Sequence, residues 1–201
     1  SNLVALLGVV LGAHLRAIHR GVGFTGIYVT HDQIEAFNLG TRVAVMKEGK
    51  IEQLGSAREV YNRPATEYVA KFLGIRNSLA LKSEGGWTTD AGRLEGDLGG
   101  LGGRKGPLQL YVRPDAITLS SQGAAADDSG HFALSGGRVV DALYSGGEVD
   151  YVLDVGGATF YVSTHSARTG FNAGDAVRVS FSHKDSLIYS EGLLVSGRPG
   201  G

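Results

Sequence analysis

The stretch Val29-Thr30-His31-Asp32-Gln33-Ile34-Glu35-Ala36-Phe37 decides how the rest of the chain is read. It continues an apolar run, Ile27-Tyr28-Val29, whose consecutive large residues predict a buried parallel strand. A histidine stands where the chain leaves that strand, and a short amphipathic helix begins directly after it. In open α/β sheets the carboxyl ends of strands bind ligands, because loops and helix N-termini converge there. An imidazole in that place can donate a hydrogen bond to a phosphate oxygen and so register a terminal phosphate. By position alone, His31 would equally serve as a helix cap or as a satisfied buried imidazole. Asp32 and Glu35 lie three apart at the helix start, where they favour its N-terminal dipole and read as helix-stabilising residues.

Working outward, Lys47-Glu48-Gly49-Lys50 separates two short apolar runs and predicts a hairpin turn. Ser56 is an N-cap candidate, with Glu59 three residues on to complete a capping box. Pro64 parts two short helices, since it cannot continue the first. In the second helix Tyr68, Val69, Phe72 and Leu73 form the apolar face, and Gly74 is suited to end it. Towards the N-terminus Leu3, Leu7, Leu11, Leu15 and Ile18 recur at helical spacing, despite Gly8 and Gly12, which cost roughly 1 kcal/mol each relative to alanine. That run falls short of the about 20 apolar residues a bilayer span needs, and it lacks the pattern of a signal peptide. A buried helix is expected.

Residues 28–77, YVTHDQIEAFNLGTRVAVMKEGKIEQLGSAREVYNRPATEYVAKFLGIRN, closely resemble the end of the nucleotide-binding subunit of ABC importers. THDQxEA is that family's switch-histidine motif, and the strand–turn–strand and paired helices after it match the close of the ATPase domain. Ser1-Asn2-Leu3 resembles the family's D-loop, although Val4 replaces the aspartate expected there. The second half resembles the family's appended TOBE regulatory domain: Tyr111-Val112-Arg113-Pro114-Asp115-Ala116-Ile117 matches its opening, and Tyr144-Ser145-Gly146-Gly147 its usual turn. The expected fold is a partial P-loop NTPase-type α/β domain over residues 1–76, followed by an all-β, OB-like TOBE domain over residues 77–201.

Key phosphate-handling parts of that family are not in this sequence. No G-x-x-x-x-G-K-S/T phosphate loop occurs, and no Walker B run precedes Ser1. Leu134-Ser135-Gly136-Gly137 partly matches the LSGGQ signature, but Arg138 and a strand pattern follow it rather than a helix, so a loop is expected. The 201 residues taken alone are therefore expected to be inactive as an ATPase.

With 42% hydrophobic and 19% charged residues, the chain suits a soluble globular protein of one large or two small domains. A net charge of −1 gives no broad attraction to nucleic acid or anionic lipid. There is no cysteine, which excludes disulfide and thiol chemistry. Gly96–Gly106 reads as a flexible glycine-rich loop in which Arg104 and Lys105 could meet an anion, and Ser121–Gly130 as a polar loop of small residues. After Asn77 the period becomes two: Val177, Val179 and Phe181 alternate with polar or small residues, as do Tyr151, Leu153 and Val155. Gly156-Gly157 predicts a hairpin, and Ser186–Tyr189 a last strand. His14, His19, His31, His131, His165 and His183 show no metal-ligand spacing, so no metal site is expected. No G-x-S-x-G elbow supports a hydrolase around Ser163, Thr164 and His165. Arg113-Pro114 predicts an extended approach to a turn, with ligand contact by Arg113 unspecific.

The resemblance implies an ATP-binding subunit, on the cytoplasmic face of the cell membrane, that couples ATP hydrolysis to solute uptake. Ile75-Arg76-Asn77 resembles the polyamine, ferric iron and oxyanion importers more than the sugar importers. His31 would contact the γ-phosphate and position the attacking water, while Ser1 and Asn2 would face a second ATP-binding subunit. ATP and Mg are the implied cofactors of the complete subunit. The partners are an identical ATP-binding subunit, membrane-embedded permease subunits and, indirectly, a solute-binding protein, with no nucleic acid. The competing reading is a stand-alone TOBE-like module that binds a small oxyanion and has no ATPase activity.

Overall fold

Polar turns and capping residues set the elements of the first part of the chain. The computed structural model describes residues 12, 14–19, 21–83, 86–96, 106–123, 130–165 and 170–196. Two compact units divide the chain, Ser1–Ala65 and Thr66–Gly201. Ser1, Asn2, Leu3, Val4, Leu7, Gly8 and Leu11, for which the sequence carries expectations, lie outside the described residues, as do 97–105 and 124–129.

In the first unit, residues 14–19 are helical. Arg16 Nη1 donates to the carbonyl of Asn38 at 2.7 Å, while Ile18 is 53% exposed rather than part of a buried stripe. Helix α1 (Gln33–Leu39) starts at Asp32. Strands β1 (Val43–Lys47) and β2 (Lys50–Gly55) pair antiparallel with Lys47 opposite Lys50. The two residues between them, Glu48 (φ 50) and Gly49 (φ 78), are both left-handed, the geometry whose twist suits a tight hairpin. Helix α2 (Ala57–Asn62) carries the expected capping box of Ser56 and Glu59. The backbone and hydroxyl of Ser56 hold the Glu59 carboxyl below its usual value. Beyond α2, Gln53 clasps the chain on both sides of Pro64, donating to the Arg63 carbonyl at 2.9 Å and accepting from the Ala65 amide at 2.8 Å.

The parallel strand expected at Ile27-Tyr28-Val29 is not formed. Residues 23–30 have no strand structure, and Ile27 and Val29 are 95% and 89% exposed. A parallel strand is buried on both faces and needs neighbours. Among the described residues of this unit the sheet is β1 and β2 alone, paired with each other, and strand pairing among all the described residues is antiparallel. The described residues therefore form a mostly β structure, without the parallel strand expected at Ile27-Tyr28-Val29.

The second unit opens with helix α3 (Glu67–Phe72), capped by Thr66. It ends at Gly74 (φ 80), where Gly74 N–H bonds Lys71 O and Ile75 N–H bonds Ala70 O, the paired closure that favours glycine after a helix. Its buried residues are Val69, Ala70 and the following Leu73, not the expected Tyr68 and Phe72. Those two rings instead stack on one another, 6.2 Å apart, with Phe72 45% exposed. Ala70 and Ile75 pack on Tyr111, Leu187 and Tyr189 of the sheet beneath.

That sheet has six strands in the order β13-β12-β6-β3-β4-β5, and a second has five in the order β10-β9-β8-β11-β7. The strands are β3 (Asn77–Ser83), β4 (Trp87–Thr89), β5 (Gly92–Arg93), β6 (Leu108–Val112), β7 (Ile117–Ser121), β8 (His131–Tyr144), β9 (Glu148–Val155), β10 (Ala158–His165), β11 (Ala176–Ser182), β12 (Ser186–Ser190) and β13 (Leu193–Ser196). A repeat organises them. β3–β6 and β8–β11 are matching four-stranded sets, and each set sends its next strand into the other's sheet. Both exchanges pass through one 3₁₀ turn, Pro114–Ala116 or His183–Asp185. The torsions match closely: Arg113 and Ser182 both sit at φ −72, ψ 144, before the turns.

Alternation places Leu79, Leu110 and Val112 of one sheet against Leu153, Phe160, Val179 and Phe181 of the other in a single core. β6 and β12 are buried on both faces because α3 covers the side away from that core. The Tyr144–Gly147 turn and the Gly156-Gly157 hairpin occur where the sequence places them. Leu134-Ser135-Gly136-Gly137 is not a loop but part of β8. Gly136 (φ 80) and a shift in register let the long strand bend there while its pairing with β11 continues.

Two bridges join the sheets outside the regular ladders. Asn77, 1% exposed, donates from Nδ2 to Tyr161 O at 2.8 Å and accepts from Tyr161 N–H at 2.7 Å. Glu95 exchanges two backbone hydrogen bonds with Ala133 of β8, both 2.9 Å, and its carboxylate takes Arg178 at 2.6 Å and the Ser135 hydroxyl at 2.9 Å. Burial pushes the Glu95 carboxyl up, but the bonds from Ser135 and Arg178 and the charges of Arg178 and Arg93 outweigh it and hold it below its usual value. A carboxylate lowered by folding adds stability that is full above its unfolded value, near 4.3, and is lost as pH falls through the lower folded value. The stability gap between wild type and Glu95→Gln, followed by urea unfolding, is therefore expected to be constant from pH 6 to 8 and to close in acid.

Candidate functional site

His31 is the site residue that the described structure contains. It lies at a bend between the irregular segment 23–30 and α1, and it is exposed. It does not cap the helix, because Asp32 does so: Asp32 Oδ1 accepts from the amides of Ile34 at 2.8 Å and Glu35 at 3.1 Å. Short polar side chains favour this place because they satisfy amides that have no partner inside the helix.

The segment before His31 is tied to the helix after it. Thr30 Oγ1 donates to Glu35 Oε2 at 2.8 Å, and Tyr28 OH donates to the same oxygen at 3.1 Å. Thr30 Oγ1 in turn accepts from the Asp32 amide at 2.9 Å. The bond to the Glu35 carboxylate is the main reason the Tyr28 hydroxyl is held above its usual value. Among the described residues nothing hydrogen-bonds the His31 imidazole, so it is presented outward from a bend whose two sides are pinned.

Sequence reasoning placed Asp32 and Glu35 at the helix start and missed the convergence on Glu35. Thr30 and Tyr28 precede it by five and seven residues but lie outside the helix that carries Glu35, so the periodicity of a single element does not pair them. Only the turn at His31 brings them together.

Other candidates separate from this site. Arg113 precedes a 3₁₀ turn in extended conformation, as Arg-Pro predicts. The Ser163 hydroxyl bonds the Asp150 carboxylate on the neighbouring strand, while His165 lies opposite Glu148, so no nucleophile–base pair forms there. A half-open hollow of about 430 Å³ in the β-unit is walled by Lys82, Trp87 and Gln109. Among the described residues, no group of three or more His, Cys, Asp or Glu side chains could hold a metal ion, and no helix is long and apolar enough to cross a membrane.

Comparison with known proteins matches residues 110–188 to the TOBE domain family. The Fe(3+) ions import ATP-binding protein of Rhizobium meliloti (strain 1021) is 40% identical over 145 residues, which cover 69% of this chain and 41% of that protein. The sn-glycerol-3-phosphate import ATP-binding protein of Jannaschia sp. (strain CCS1) is 38% identical, over 64% of this chain and 37% of the relative. The spermidine/putrescine import ATP-binding protein of Frankia alni is 40% identical, over 65% and 30% respectively. The chain thus spans less than half the length of these relatives. Residues 110–188 thus match the TOBE domain family, and about two thirds of the chain is similar to ATP-binding subunits of ABC importers.

Proposed function

We propose that this chain works as the C-terminal portion of an importer's ATP-binding subunit, coupling ATP hydrolysis to solute uptake. The observation that carries the reading is its 40% identity to an Fe(3+) import ATP-binding protein over 69% of the chain. The ATPase portion ends at residue 76 and the OB-like regulatory β-domain runs from 77 to 201. His31 donates to the γ-phosphate of ATP and orients the attacking water, and Ser1 and Asn2 face a second, identical subunit. Positioning and charge stabilisation are most of what phosphoryl transfer asks of a protein. The remaining phosphate and Mg²⁺ contacts fall to parts of the subunit outside these 201 residues. The subunit sits peripherally on the cytoplasmic face of the membrane, bound to permease subunits and served indirectly by a solute-binding protein. Its solute is of the ferric iron, polyamine or oxyanion type, in keeping with two of the three relatives described.

The test is a chimera in which this chain replaces the matching portion of the Rhizobium meliloti relative. ATP hydrolysis and Fe(3+) uptake near the parent's level are expected. A folded, membrane-assembled chimera without ATPase would overturn the reading and leave the β-domain as a ligand-binding module.

A further inference from the structure

We propose that Glu35 is the positioning residue for His31, acting through one carboxylate oxygen that holds the chain on both sides of the histidine. The inference rests on the reading of His31 as the γ-phosphate contact. Glu35 Oε2 takes the hydroxyl protons of both Thr30 and Tyr28. A threonine hydroxyl has one proton and two lone pairs. With its proton committed to Glu35, Thr30 turns a lone pair to the Asp32 amide, which it accepts at 2.9 Å. The path therefore runs from Glu35 to Thr30 to Asp32 and reaches the residues before and after His31 without touching its ring. Asp32 completes the loop by capping the amides of Ile34 and Glu35 itself. Without the carboxylate, the Thr30 hydroxyl is free to rotate and the Asp32 amide loses its fixed acceptor. The bend then wanders while the imidazole remains chemically intact. A donor held in place before the reaction is worth far more than one that must be ordered during it.

Glu35 touches no substrate in this scheme, so its loss is expected to alter kcat and not the KM for ATP. Glutamine keeps one oxygen able to accept both hydroxyls, and E35Q is expected to retain most of the function that E35A loses. In the 201-residue chain, amide hydrogen exchange read by NMR at Asp32 is expected to quicken about fivefold in E35A and in T30V, and to stay near wild type in E35Q. T30V leaves the Glu35 backbone and side chain in place, so it reports on the bend even if E35A folds poorly. In the complete subunit, E35A is expected to lower kcat about tenfold at unchanged KM. Unchanged exchange at Asp32 in both E35A and T30V would overturn the inference. So would unchanged kcat in E35A, or an equal loss in E35Q. Normal turnover in H31A would instead bring down the reading of His31, and the exchange data would still report whether Glu35 orders the bend.

Discussion

His31→Ala in the complete ATP-binding subunit is expected to lower ATP turnover by about 10²–10³-fold, the usual cost of losing one preorganised donor to developing charge. The substitution is expected to leave folding stability nearly unchanged. The imidazole is exposed, Asp32 rather than His31 caps α1, and the bonds that pin the bend run through Thr30, Asp32 and Glu35. Lost turnover therefore reports lost chemistry and not lost structure. Kinetically, kcat falls while ATP binding is largely retained, the signature of a contact stronger in the transition state than in the ground state. Steady-state hydrolysis with parallel nucleotide-binding measurements distinguishes the cases. Near-normal turnover would refute the role given to His31.

Asn77→Leu is expected to cost about 2–4 kcal/mol of stability, read as a lower urea midpoint at unchanged slope. The side-chain amide imitates a strand residue: one donor and one acceptor meet the carbonyl and amide of Tyr161 at 2.8 and 2.7 Å. Leucine keeps the branched shape but satisfies neither group, and the larger part of the loss comes from leaving both backbone groups unpaired. β10 is also an edge of the five-stranded sheet. Uncovering Tyr161 exposes part of an unpaired strand edge, the kind of surface that invites association. Concentration-dependent self-association of the variant, measured by sedimentation, is the expected companion of its lower stability.

Local chemistry made much of the β-unit readable in advance. Gly156-Gly157 marks a hairpin because both residues adopt positive φ, 59 and 90. Val177, Val179 and Phe181 alternate because one face of β11 meets the core. The strand exchange was not readable. Arg113-Pro114-Asp115-Ala116-Ile117 and Ser182-His183-Lys184-Asp185-Ser186 share no residue at matching positions, yet they make the same turn. Backbone geometry of that kind leaves little trace in side chains. Leu134–Gly137 was expected to be a loop ahead of the strand pattern that starts at Arg138, whereas its glycines serve a bend within one long strand. At Ile27-Tyr28-Val29 a run of apolar residues was read as buried, but burial needs partner elements that the described residues of the first unit do not supply. At the candidate site, the motif identified His31 and the helix start. The tie through Glu35 depends on a turn in the chain, which no period reveals.

The exchange of β7 and β12 bears on how the β-unit forms as well as on what it is. Each four-stranded set borrows its fifth strand from the other, so neither is complete until both have been made. Pairs such as Val112 with Ser186 and Ile117 with Phe181 join residues far apart along the chain, and contacts of that kind slow folding towards the millisecond-to-second range. A single polypeptide eases this by keeping the two sets tethered, which turns what would be an encounter between separate molecules into an internal one. Synthesis of β12 is then the event that lets the two sets close on each other, and a ribosome stalled before it would hold a chain whose first set still lacks its fifth strand.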